Sequence, residues 1–218
     1  MKRLILSASF LALSAATPAL AETELSFYMG WQTLPHSRVT GVNPDTGLSF
    51  NRLVKFEGKP FAMPPYYGLR AAFWRSENFG WALEYTHTRA YVPGADRAAL
   101  GFDRLEFSDG HNVATVNAMY RWQNKWDKLT PYVGAGVGVA VPHVDSTSTG
   151  GVRTLGFQYS GPAVRLLAGV RYDLNQRYAL FTEYQFTYST NDVDLGGVGK
   201  MSTDIKTNAL NFGISYRF

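Results

Sequence analysis

The chain has 218 residues, no cysteine, a formal net charge of +4, and 13 Tyr, 14 Phe and 5 Trp. The missing cysteine excludes disulfides, thiolate metal sites and thiol nucleophiles. The small charge gives nucleic-acid binding no support, and the length suits one domain.

Residues 1–21, MKRLILSASFLALSAATPALA, carry two cations, an apolar run from Leu4 to Ala16, a breaker at Pro18 and a small-x-small site at Ala19-Leu20-Ala21. This reads as a secretory signal peptide, so the mature chain is expected to start near Glu22. Removing Lys2 and Arg3 leaves 19 Lys+Arg against 17 Asp+Glu, a net charge of +2. Beyond Ala21 no segment approaches the roughly 18 consecutive apolar residues of a membrane helix.

Eight runs of period-two alternation follow, near 24–34, 64–74, 79–91, 110–122, 131–142, 160–172, 178–190 and 207–218. Each has the length of a tilted membrane strand. The connections 75–78, 123–130 and 173–177 are short and polar, whereas 35–63, 92–109, 143–159 and 191–206 are long. An even strand number with short turns at one end and long loops at the other predicts an eight-stranded antiparallel transmembrane up-and-down β-barrel over residues 22–218.

In such a barrel the apolar face meets lipid. That assigns Trp81, Leu83, Tyr85, Ala114, Val116, Ala118, Tyr120, Val133, Ala135, Val137 and Val139 outward, and Tyr66, Arg70, Glu84, Thr86, Arg121, Arg165, Arg171, Glu183, Gln185 and Arg217 inward. Trp74, Trp81, Trp122, Tyr172, Tyr178 and Tyr216 are expected to form a periplasmic aromatic girdle. A soluble barrel or sandwich with the same alternation stays open on pattern alone.

GAGVG at 134–138 lies inside a strand and opens no helix, so it is not a nucleotide loop. Its glycines are expected to make room for bulky lumenal neighbours such as the arginines. All four histidines, His36, His87, His111 and His143, map to the extracellular rim. His87 and His111 flank a loop carrying Asp103, Glu106 and Asp109, and two imidazoles with a carboxylate suit a divalent, non-haem metal ion. Strict alternation points His87 toward lipid and His111 toward the lumen, so sharing a metal needs a bulge or curled loop. The polar-interface reading of these residues stands beside the metal reading. Loop cations such as Arg38, Lys59 and Arg89 are candidates for pairing with phosphate or carboxylate groups of surface lipid.

The closing NFGISYRF and the strand PYVGAGVGVAV resemble the eight-stranded outer-membrane barrels of the opacity-protein and outer-membrane-protein-A-like superfamily. In that superfamily a terminal aromatic, here Phe218, is an assembly signal, which implies the outer-membrane assembly machinery as a partner. Four stretches, ELSFYMGWQTLPHSRV (24–39), FEGKPFAMPPYYGLRAAFW (56–74), WALEYTHTRAYV (81–92) and FDRLEFSDGHNVATVNAMYRW (102–122), are similar to the lipid A oxidase family of rhizobia and related bacteria. That likeness implies an outer-membrane oxidoreductase that oxidises the proximal glucosamine of lipid A to 2-aminogluconate with molecular oxygen as electron acceptor.

No flavin or nicotinamide fingerprint is present. The expected catalytic set is therefore His87, His111, Asp109 and Glu106, with His87, His111 and Asp109 as metal ligands and Arg38, Lys59 and Arg89 holding the lipid. The alternative is a non-enzymatic outer-membrane surface protein, an adhesin or envelope-stabilising barrel. A lipid A deacylase built on His36 with Ser37, or His111 with Ser108, is disfavoured because sequence neighbours on a strand face opposite ways.

Overall fold

The computed structural model describes residues 22–123 and 126–218; the expected signal segment lies outside them. Among the described residues no helix is long and apolar enough to cross a membrane. The elements are β1 (Glu22–Thr33), β2 (His36–Val42), β3 (Ser49–Lys55), β4 (Tyr67–Trp74), β5 (Phe79–Tyr91), α1 (Gly94–Ala99), β6 (Phe102–Arg121), β7 (Leu129–Ala140), β8 (His143–Ser148), β9 (Arg153–Phe157), β10 (Gly161–Asp173), β11 (Tyr178–Gly196) and β12 (Gly199–Arg217).

Eight of these strands form an antiparallel ring, β1-β4-β5-β6-β7-β10-β11-β12. It closes where β1 pairs with β12 from Glu24↔Arg217 to Thr33↔Asn208. Closure leaves no free strand edge, which is what lets a sheet sit in a solvent that offers no hydrogen bonds.

The face that meets that solvent is apolar. Leu25, Phe27, Leu83, Val116, Val137, Leu166, Leu180, Phe212 and Ile214 are all exposed on the outer wall. The expected inward set is buried, with Tyr66, Arg70, Glu84, Thr86, Arg121, Arg165, Arg171, Glu183 and Gln185 all inside and Arg217 half-buried at the turn end. Arg70 sits 2.9 Å from Glu84 and 2.7 Å from Glu183, and Arg165 lies 3.5 Å from Glu84. Tyr28, Asn117 and Gln185 donate to Glu84, while Tyr132 donates to Glu183. A second ion cluster closes the turn end, where Arg121 and Arg217 meet Glu22 and Arg171 meets Glu24. Gly68 admits the Tyr28 ring to this interior, because a Cβ there would overlap the ring.

Two expectations are corrected. Trp74 is 4% exposed and points into the lumen, where the Arg121 guanidinium lies 3.9 Å from its ring centroid. Its parity is that of Arg70 and Ala72, and Phe73 takes the girdle position instead, stacked on Trp81 at 4.4 Å. The GAGVG glycines make room for Met119, Leu167 and Asn117 rather than for arginines.

Most of the expected long loops are folded. β6, β11 and β12 run 19 or 20 residues, continuing beyond the lipid-facing belt. Above it their alternation inverts: Val193, Leu195, Met201 and Ile205 face in, and Asp192, Asp194, Lys200 and Asp204 face out. The hairpins β2–β3 and β8–β9 join β12 and β6, and the upper parts share an apolar core that includes Val39, Val54, Leu100, Phe102, Leu105, Phe107 and Val144. This cap lies at the long-loop end, the extracellular end in barrels of this design.

Leu166 lies in the middle third of the outward row on β10, so Leu166→Arg should lower folding stability by about 2–4 kcal/mol. Glu84→Ala, which leaves buried guanidinium charge without its acid, should cost about 3–5 kcal/mol. Urea titration of the barrel in lipid vesicles, read by tryptophan fluorescence and by the folded-to-unfolded gel shift, checks both.

Candidate functional site

The outward face of β5 reads Leu83, Tyr85, His87 and Arg89 from the belt upward, so it passes from apolar through aromatic to basic within one strand. His87 pairs across the wall with Asn112 of β6. Just above, the register shifts: Thr88 faces His111 and Ala90 faces Phe107, so residues 108–110 of β6 bulge out. Gly110, at φ 101°, is the turning point. A Cβ at Gly110 would strike both the His87 ring and the Asn112 side chain, and a left-handed backbone is strained for other residues.

The bulge fixes the Asn112 amide. Its Nδ2 donates to the backbone carbonyls of Asp109, Gly110 and Val141, each at 3.3 Å. Its Oδ1 is therefore the acceptor, taking the Tyr85 hydroxyl at 2.7 Å and facing His87 Nδ1 at 3.0 Å. Because that oxygen can only accept, neutral His87 carries its proton on Nδ1 and presents a lone pair at Nε2. The Tyr67 ring stacks on the imidazole at 5.2 Å and 20°. His87 is 4% exposed, and Nε2 has no hydrogen-bond partner among the described residues. Nε2 is thus a buried, oriented imidazole nitrogen with acceptor capacity on the outward side of the wall.

The other expected site residues divide. Asp109 is exposed within the bulge, with Oδ2 3.4 Å from His143 Nδ1, and the Phe157 ring meets His143 edge-on at 4.7 Å. Lys59 and Arg89 come together above His87, their cationic groups 4.5 and 4.8 Å from the Tyr91 ring centroid. Lys59 also pairs with Glu57 at 3.2 Å, and Arg89 donates to the Met63 carbonyl. Arg38 stands apart on the β2–β3 hairpin, donating to Asn51, and His36 is exposed at the hairpin's start.

The expected His87–His111–Asp109 metal set is not assembled. His111 lies on the opposite, lumenal face of the wall, its Nε2 held by Ser189 Oγ at 2.9 Å and Asn191 Oδ1 at 3.1 Å. Glu106 is buried in the cap and bonded to Arg104, away from both imidazoles. Among the described residues no three His or carboxylate side chains converge in a group that could hold a metal ion. The bulge that a shared site required is present, but it brings Gly110 and Asn112, not His111, to His87. Asn112, Tyr85 and Tyr67 are the site residues that sequence reasoning left out; their signal was the cross-strand register, which depends on the bulge.

Neither a protein-family model nor a curated protein sequence matches the chain. Solved structures do match. The outer membrane protein AlkL, determined by solid-state NMR in DMPC bilayers, is similar at 19% identity, with 98% of this chain and 97% of that chain covered and a TM-score of 0.55. OprG from Pseudomonas aeruginosa matches at 14% identity, 91% and 96% coverage and a TM-score of 0.52. Neisserial surface protein A matches at 16% identity, 91% and 97% coverage and a TM-score of 0.50. These likenesses show the fold, that of an eight-stranded outer-membrane β-barrel, and the apolar belt of the wall is the face such a barrel turns to lipid.

Proposed function

We propose that the barrel is an oxidoreductase of the outer leaflet, oxidising the proximal glucosamine of lipid A to 2-aminogluconate with molecular oxygen as electron acceptor. The observation that carries this reading is the His87 imidazole, held through Nδ1 by Asn112 with Nε2 unpartnered, next above Leu83 and Tyr85 on the outward face of β5. The four sequence stretches similar to lipid A oxidases support it further, since His87, Asp109, Asn112, Tyr67 and Tyr85 all lie within them.

The chemistry balances as follows. The anomeric carbon of the free reducing-end sugar loses its hydrogen and two electrons, and its hydroxyl loses a proton. Oxygen takes up two electrons and two protons to give hydrogen peroxide, and the sugar becomes a lactone that water opens to the acid. His87 Nε2 accepts the hydroxyl proton, with Asn112 stabilising the imidazolium through Nδ1. Arg89 and Lys59, one step further from the membrane, offer charge to the headgroup's anionic groups. Oxygen chemistry of this class ordinarily draws on a metal or organic cofactor. The described side chains do not converge on a metal-binding set, so no step is assigned to one.

A non-enzymatic surface barrel needs only exposed, replaceable loops. Here the long-loop end is instead tied into one apolar core, which leaves fewer residues free to vary.

In a host lacking the activity, expression of the chain should add one oxygen atom to dephosphorylated lipid A under air and none under anoxia, as read by mass spectrometry. His87→Ala should lower the oxidised fraction by about 10²-fold or more, the usual contribution of a positioned general base. His36→Ala, at an exposed hairpin position, should leave it unchanged. Unmodified lipid A under air, or full activity in His87→Ala, overturns the reading.

A further inference from the structure

Directly below the Tyr85–Asn112–His87 cluster the lipid-facing wall is hollowed rather than smooth. Leu69, Leu83 and Val139 stand out around the small side chains of Ala71 and Ala114, and Tyr85 closes the upper end. The hollow is an open depression of about 800 Å³ on the outer wall. The register sets this shape. Tyr85 and Val139 flank Ala114 on the neighbouring strands, and Leu25 and Leu83 flank Ala71. Gly138, whose Cβ would run into the Ala114 carbonyl, keeps β6 and β7 close at this level.

We infer that this groove is a binding site for one acyl chain of the glycolipid whose headgroup His87 serves, an inference that rests on the function proposed above. Three observations fix the occupant. The groove is lined mainly by outward apolar side chains of the belt, so hydrocarbon suits it. Its upper end is the Tyr85 ring, whose hydroxyl belongs to the hydrogen-bond system that orients His87, so a chain in the groove continues into a headgroup at Nε2. Arg89 and Lys59 then lie where that headgroup is anionic.

In a bilayer the chain gains nothing from leaving water, so selectivity comes from close packing against the side chains that line the hollow. Seating one chain removes sliding and tumbling freedom from the headgroup and brings the sugar to the base.

The test separates docking from chemistry. The full barrel is placed in phosphatidylcholine nanodiscs doped with lipid A lacking the anomeric phosphate, and the lipid A retained after release is counted by native mass spectrometry. Wild type should retain one molecule. Ala114→Trp, which fills the groove from an outward position, should reduce retention by about tenfold, a difference of ~1.4 kcal/mol. Ala168→Trp, an outward position on β10 outside the groove, should retain lipid like wild type.

Equal retention in Ala114→Trp, or an equal loss in Ala168→Trp, overturns the groove and marks the contact as ordinary lipid solvation. Retention of one lipid by a barrel that never oxidises it would overturn the oxidase reading and leave the groove standing. Ala71→Phe, filling the same hollow from β4, guards against misfolding of the first variant: loss of retention in both confirms the site, and normal retention in a folded Ala71→Phe refutes it.

Discussion

Inside a barrel of eight strands, acids and bases on inward positions have only one another for company. Glu84 and Glu183 each reach Arg70, and Arg165 lies against Glu84, with the remaining acceptor positions of the two carboxylates taken by tyrosine and amide donors. Isolated charge at this depth would cost several kcal/mol per ion, so the network is tolerable only when complete. The network ties together strands β1, β4, β5, β6, β7, β10, β11 and β12, because each contributes a member: Tyr28, Arg70, Glu84, Asn117, Tyr132, Arg165, Glu183 and Asn211. The wall's curvature and register are set from within by this arrangement.

A wall so fixed has a definite height, and the outer site depends on it. Where the wall leaves lipid, the alternation of β11 and β12 inverts and the long-loop end packs a core of its own. On β5 the crossing is compressed into Leu83, Tyr85, His87 and Arg89. These four outward residues pass in turn from apolar through aromatic to basic. Placing the base on a strand rather than on a mobile loop holds it to the precision of the barrel.

That inversion also explains what could be read from the sequence and what could not. The spans were legible because lipid demands a strict period of two, and the same parity correctly placed Arg70, Glu84, Arg165 and Glu183 inside. Applied without exception it would have placed Trp74 inside as well; the habit of assigning tryptophan to an interface overrode it, whereas here the ring serves as a partner for Arg121. Segments 102–109 and 191–206 read as loops because a search for apolar residues facing outward misses strands whose apolar residues face inward. At the site, parity put His87 and His111 on opposite faces, and the structure agrees. What no local pattern disclosed is that residues 108–110 bulge and so select Asn112 as the partner of His87.

The two faces of the wall at this level are coupled through backbone. On the inside, His111 is held by Ser189 and Asn191, Asn191 accepts from the Ser160 hydroxyl, and the Ser160 backbone N–H donates to the Ala140 carbonyl. Phe107 stacks on His111 at 6.0 Å, so this layer is where the polar lumen ends and the apolar cap begins. On the outside, Asn112 donates to the carbonyl of Val141, the residue after Ala140, and the Val141 amide donates back to the Asn112 carbonyl at 2.8 Å. The β6–β7 junction is thus clamped from lumen and lipid side at consecutive residues. His111 is the inner half of the clamp that keeps Asn112 in place, so it supports the orientation of His87 without sharing a ligand with it. Two histidines one register step apart take different parts because a single layer of backbone stands between a sealed interior and a membrane.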